Sequence, residues 1–174
     1  MKAPPGFSEY VAARGPALLR TAYLLTGDHH AAEDLVQSVL ARAVVRWRGI
    51  EGSPDAYVRR ALYHQHVSTW RRFRLRREEP WADPPDVVDV AAADGADTVE
   101  RRLLLRDALA RLAPQQRAVL VLRFYEDRTE AETAALLGIS AGTVKSHTRR
   151  ALTRLRELAP ELAVLVTTSE VDPS

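Results

Sequence analysis

The chain has 174 residues, of which 46% are hydrophobic and 28% charged, a globular composition that excludes disorder throughout. With no cysteine it excludes disulfides, a thiol nucleophile and a cysteine-based zinc site, and no apolar run is long enough for a membrane span or a signal-peptide core, so a cytoplasmic protein is expected. The net charge of +2 hides three blocks: 13 basic and 6 acidic side chains in residues 1–77, 8 acidic and no basic in 78–100, and 12 basic and 6 acidic in 101–159.

Apolar spacing is helical almost everywhere, so an all-α fold is expected. Leu18, Ala22 and Leu25 form one stripe, stopped by Thr26-Gly27-Asp28, in which the glycine ends one helix and the aspartate caps the next. The second helix carries Val36, Leu40, Ala43 and Trp47 and breaks at residues 49–53. Ser53-Pro54-Asp55 then supplies an N-cap, a proline at the first helical position and an acid in the first turn of a helix running to about Arg74. Tyr57 and Leu62 are expected in its core.

The acidic strip also carries Pro80, Pro84, Pro85 and Gly95 and cannot bury enough apolar surface to fold alone. The expected organisation is therefore two small helical domains, 1–77 and 98–160, joined by a flexible acidic linker at 78–97 and followed by a tail at 161–174. In the second domain Thr98 caps a helix with the stripe Leu105, Leu109 and Leu112, and Pro114 starts another with Ala118, Leu122 and Tyr125. Thr129-Glu130-Ala131-Glu132 has the spacing of a capping box, in which hydroxyl and carboxylate satisfy each other's backbone donors. Gly138 can turn the chain in the left-handed conformation, and Ser140 caps the last helix, whose inner stripe is Val144, Thr148, Ala151 and Leu155.

A short capped helix, a glycine turn and a second helix with a buried stripe make a helix-turn-helix. Its outward face holds Gly142, Thr143, Lys145, Ser146, Arg149 and Arg150, a mixture of base-edge readers and phosphate binders; the bland alternative is a solvated helical hairpin. In residues 57–74, large aromatics alternate with arginines and two histidines. Rings can stack on unpaired bases while arginines follow phosphates, which makes Arg60, Tyr63, His64, Gln65, Ser68, Trp70, Arg71 and Arg72 candidate contacts to single-stranded nucleic acid. Against this, a three-helix domain needs some of those rings inside.

No catalytic constellation is found: there is no phosphate loop or nucleophile elbow, and the neighbouring acids of Glu33-Asp34 and Glu126-Asp127 diverge on helices. His29-His30 and His64-x-His66 lack the i,i+4 spacing that would put both rings on one helix face, so no metal site is expected. No cofactor is implied.

Four segments together resemble an extracytoplasmic-function sigma factor of the sigma-70 family, in its actinobacterial SigE-like group. They are LLRTAYLLTGD at residues 18–28, AEDLVQSVL at 32–40, LAPQQRAVL at 112–120 and GTVKSH at 142–147. The resemblance covers residues 8–158 in order. It implies a non-catalytic subunit that binds RNA polymerase core and directs promoter-specific initiation. The helix of Asp34, Gln37, Leu40 and Val44 would dock on the clamp of the largest polymerase subunit, with further contact to the flap. Residues 49–73 would melt and read the −10 element, the loop at 49–53 lying near the pocket for a flipped base. The acidic strip would thread the RNA channel, and the helix from Ala141 would read double-stranded −35 DNA. An anti-sigma protein is a further candidate partner; no membrane is. The chain departs from the family at Tyr57-Val58 and His64, where Trp-Leu and an asparagine are frequent, which bears on the −10 base preferred. The competing classes are a self-sufficient repressor or activator, which would dimerise and shift its operator unaided, and a polymerase-binding protein that reads no promoter.

Overall fold

In the computed structural model, residues 3–76 and 96–160 are described, with side chains over 3–69 and 100–160. The acidic strip at 78–97 falls almost wholly outside the described residues and the tail at 161–174 entirely so. Among the described residues there is no strand, and no helix is long and apolar enough to cross a membrane. The chain divides into two compact units between Val87 and Val88.

The first unit is a three-helix body. Helix α1 (Phe7–Thr26) ends where Gly27 takes φ 75°, and Asp28 caps α2 (His29–Arg46) by accepting from the Ala31 N–H at 2.7 Å. The hydroxyl of Thr26 donates to the carbonyl of Ala22 at 2.9 Å and so secures the end of α1. A 3₁₀ turn, Trp47–Gly49, follows α2 directly. Ser53 then caps α3 (Pro54–Arg76), its hydroxyl accepting from the Ala56 N–H at 3.3 Å. Capping residues thus set the end of α1 and the starts of α2 and α3, as local chemistry predicts, and α3 runs two residues past Arg74.

Leu18, Ala22 and Leu25 of α1 are buried, as expected, against Ala32, Leu35, Val36, Val39 and Ala43 of α2. Helix α3 contributes Val58, Leu62, Tyr63 and His66. That i, i+4, i+5, i+8 series fixes the inner face of α3, and it turns Tyr57 to the flank, where it is half-buried rather than core. The same phase puts Tyr63 at 0% exposure. Its ring therefore belongs to the core and is withdrawn from the surface on which base stacking was expected. Leu40 is half-buried, and Trp47 leaves the α2 stripe for the 3₁₀ turn, where it meets α1 instead.

The second unit packs α4 (Ala96–Ala110), α5 (Pro114–Leu120) and α6 (Glu130–Leu137) around α7 (Ala141–Leu158). Leu109 and Leu112 are buried, but Leu105 is 39% exposed, because the inner face of α4 runs through Arg106, Ala108 and Leu109. Arg117 is buried and donates to the carbonyls of Ala110 at 2.6 Å and Leu112 at 3.3 Å, tying α5 to the end of α4. Helix α5 continues into a π turn, Val121–Tyr125, in which the Glu126 N–H donates to the carbonyl of Val121 five residues back, at 2.9 Å. The wider turn shifts the helical phase. Leu122 stays buried, and Tyr125, expected on the same stripe, emerges 50% exposed.

The burial of Tyr63 gives a test of core against surface. Replacing Tyr63 with Ala should cost about 3–5 kcal/mol, the range for deleting a buried aromatic ring, whereas Tyr57→Ala on the flank should cost under about 2. Chemical denaturation followed by circular dichroism reads both. Equal costs would place the two rings in equivalent surroundings.

Candidate nucleic-acid interface

The helix-turn-helix is built by three local devices. Thr129 Oγ1 accepts from the Glu132 N–H at 3.1 Å while Glu132 Oε2 accepts from the Thr129 N–H at 2.8 Å, the capping box read from the sequence. The Thr129 N–H, and after it the Thr129 hydroxyl, which donates to the same oxygen at 3.0 Å, hold the Glu132 carboxyl below its usual range. Gly138 takes φ 66° at the end of α6. Ser140 then caps α7, its hydroxyl accepting from the Thr143 N–H at 3.1 Å.

The angle between α6 and α7 is held by Val144, fully buried against Val119 and Ala134 with Leu137 and Ile139 beside them. Ala151, Leu152 and Leu155 continue the inner stripe, while Thr148 sits at its edge with its hydroxyl on the Val144 carbonyl at 2.9 Å. Opposite that stripe, Gly142, Lys145, Arg149 and Arg150 are exposed. Thr143 and Ser146 are half-buried, and the Thr143 hydroxyl is already engaged with that of Ser140 at 2.8 Å. Lys145 Nζ lies 3.7 Å from Glu130 at the start of α6. His147 is kept below its ordinary pKa by burial and by the Arg150 charge, so it is neutral at physiological pH.

The structure adds residues that the sequence reading missed. Arg149, Arg150, Thr153 and Arg154 of α7 line an open groove whose other wall is Arg111, after α4, and Gln116 of α5. Glu157 closes it, paired with Arg154 at 2.8 Å. Four guanidinium groups thus meet one carboxylate. Arg111 and Arg149 stand 38 positions apart, so no local motif could join them.

In the first unit, Arg60, His64 and Ser68 are exposed at i, i+4, i+8, a single outward row on α3. Gln65 lies off that row, its amide donating to Ser38 Oγ at 2.7 Å and linking α3 to α2. Tyr63 lies inside, as described. Trp70, Arg71 and Arg72 belong to α3, but their side chains lie outside the described residues. On α2, Asp34 and Gln37 are exposed, and Leu40 and Val44 are half-buried beside them. Val45, 79% exposed, extends that face with an apolar side chain that periodicity alone did not single out.

Between α2 and α3 the loop at residues 49–53 is exposed apart from half-buried Ile50, and Gly52 takes φ 82°. Its flanks meet the first turn of α1. Trp47 packs edge-on to Phe7, with centroids 5.0 Å apart, and tilted on Tyr10 at 5.2 Å. The Tyr10 hydroxyl donates to Asp55 Oδ1 at 3.1 Å, while Arg59 Nε donates to Oδ2 at 2.9 Å. Among the described residues no group of three His, Asp or Glu is placed to hold a metal ion.

The chain matches two family models, Sigma-70 region 2 over residues 10–82 and Sigma-70, region 4 over residues 108–157. It is 46% identical over 153 residues to the RNA polymerase sigma-E factor of Streptomyces coelicolor, covering 87% of this chain and 84% of that protein. It is 34% identical over 153 residues to the ECF RNA polymerase sigma factor SigL of Mycobacterium tuberculosis, covering 84% and 85%. A solved structure, the sigma factor RpoE of Bartonella quintana in complex with the anti-sigma factor NepR, superposes with a TM-score of 0.69 at 26% identity, over 87% of this chain and 95% of that one. Carrying both regions in order, with the helix-turn-helix inside the second, the chain belongs to the sigma-70 family, in its extracytoplasmic-function group, as a sigma factor for promoter-specific transcription initiation.

Proposed function

We propose that the exposed cationic face of α7, opposite Val144, Ala151 and Leu155, reads the −35 element in the major groove, and this face is the observation that carries the reading. Lys145 and Arg149 supply base contacts, with Gly142, Thr143 and Ser146 near the helix start allowing close approach. Arg150 holds backbone phosphate, and Arg111, Gln116 and Arg154 extend that contact along the groove. In the first unit the outward row of Arg60, His64 and Ser68, with Trp70, Arg71 and Arg72 further along α3, engages melted −10 DNA, and the loop at 49–53 receives the flipped base. Gln65 is a strut of this surface rather than a reader, since Ser38 already holds its amide.

Asp34 and Gln37, flanked by Leu40, Val44 and exposed Val45, dock on the polymerase clamp. Phe124 and Tyr125, which the π turn leaves exposed, meet the flap. The acidic strip occupies the RNA channel by charge mimicry. An anti-sigma protein is a partner of the free factor, by analogy with the NepR complex of the Bartonella protein. The chain has no catalysis of its own and acts in the cytoplasm.

Run-off transcription with core polymerase tests the whole. Combining Asp34→Ala with Gln37→Arg should abolish co-purification with core polymerase at unchanged helicity; holoenzyme assembly by the double variant would remove the docking face. Arg149→Ala should cost on the order of 1–3 kcal/mol against the preferred −35 base and relax selection at that position alone. Arg150→Ala or Arg111→Ala should weaken every promoter alike and lower the salt slope by about one ion. Assays on a −35 substitution series at two salt concentrations separate the classes, and relaxation at every position by Arg149→Ala would contradict the base-reading role. Substituting His64 with Asn should change preference at one −10 position. A uniform loss across all −10 boxes would make His64 structural.

A further inference from the structure

The loop at 49–53 has little to hold its shape from within. Added Cβ atoms at Gly49 and Gly52 would meet nothing within 4 Å, and only Ile50 is even half-buried. What fixes the loop lies at its two ends. On the entry side the Ile50 N–H donates to the Trp47 carbonyl at 3.4 Å, and on the exit side the Tyr57 N–H donates to the Ser53 carbonyl at 3.1 Å. These bonds close each end on itself but do not join one end to the other.

One side chain touches both. The Tyr10 ring lies 5.2 Å from the Trp47 ring on the entry side, and its hydroxyl reaches Asp55 on the exit side at 3.1 Å. Trp47 is held from a second direction by Phe7, and Gly6, at φ 78°, makes the left-handed turn that leads the chain into α1 beside it. Asp55 is a strong acceptor. Burial opposes its ionisation, but Arg59, with Tyr10 and Arg14 (3.9 Å away), outweighs that and holds the carboxyl below its usual range. Burial and the Asp55 charge push the Tyr10 phenol up, so it remains a donor at any working pH.

We propose that Tyr10 is a positioning residue for −10 recognition: by bracing Trp47 with its ring and Asp55 with its hydroxyl, it sets the separation of the loop's ends and so the shape of the base pocket. The inference rests on the reading that the loop at 49–53 receives the flipped base. A loop whose ends are fixed before DNA arrives spends less binding energy on ordering, and it rejects a wrong base rather than adapting to it. Loosening the ends should therefore affect discrimination more than total binding.

The test uses holoenzyme assembled with core polymerase on duplex promoters carrying each base at every −10 position, with permanganate reactivity reporting melting. Tyr10→Phe deletes one oxygen and keeps the ring against Trp47. It should leave core binding and −35 selection unchanged and reduce discrimination at the loop-read position by about three- to tenfold, a fraction of the full effect of one charge-assisted hydrogen bond because the bond acts on the base only through the loop. Tyr10→Leu, which releases both ends, should reduce it further. Glu51→Ala within the loop is the control. If Glu51→Ala alters base selection and Tyr10→Phe does not, the positioning role is wrong and the loop reading stands. If neither alters it, the loop does not read the base and both fall. A uniform drop at all positions, or weakened core binding, would reduce Tyr10 to a fold-stabilising contact and overturn the proposal even if Tyr10→Leu fails to fold.

Discussion

Val144 has no exposed surface, and the direction of its side chain decides what the second unit can show to a nucleic acid. Its contacts with Val119 and Ala134 pin the start of α7 to two helices at once. Rotating α7 by one residue would bring Lys145 into that apolar site at the cost of a desolvated ammonium, so the burial preference is steep. Because an α-helix advances about 100° per residue, fixing Val144 inward leaves Arg149 and Arg150 outward with no further instruction. Arg117 supports the arrangement from beneath. Burial lowers its pKa to about 10, yet it remains cationic, and its guanidinium closes carbonyls at the end of α4 that no helix hydrogen bond satisfies.

The first unit follows the same logic with a different result. Its inner stripe is wider, taking Val58, Leu62, Tyr63 and His66, and the outward row that remains is narrow: Arg60, His64 and Ser68. The two units therefore offer unlike surfaces. One is a helix edge dense in guanidinium groups, suited to a regular duplex. The other is a sparse polar row beside an exposed loop, suited to bases that have left the stack.

What the sequence made legible was most of its punctuation; Thr98, expected as a cap, instead lies inside α4, which begins at Ala96. Asp28, Ser53, Thr129 with Glu132, Gly138 and Ser140 act within four residues of themselves, and each does in the structure what its local chemistry dictates. The inner stripes of α1 and α7 were equally readable, because small and aliphatic residues there repeat in phase. The aromatic-arginine helix was not. Judged by composition, Tyr57 and Tyr63 are interchangeable, and only the phase set by Val58 and Leu62 assigns one to the flank and the other to the core. Tyr125 failed differently, since no residue type announces a π turn. The link from Tyr10 to Asp55, 45 positions away, and the groove joining Arg111 to α7 are products of tertiary packing that no window on the sequence contains.

The π turn at Val121–Tyr125 has an evolutionary consequence. A wide turn of this kind is equivalent to one residue inserted into an α-helix without disturbing the segments on either side. Removing a single residue there would let the helix revert to ordinary geometry while α6, restarted by its own capping box, kept its place. Most helices cannot lose one amino acid without rotating everything downstream. This one can lose a residue there, and with it the exposure of Phe124 and Tyr125, while the cationic face of α7 stays as it is.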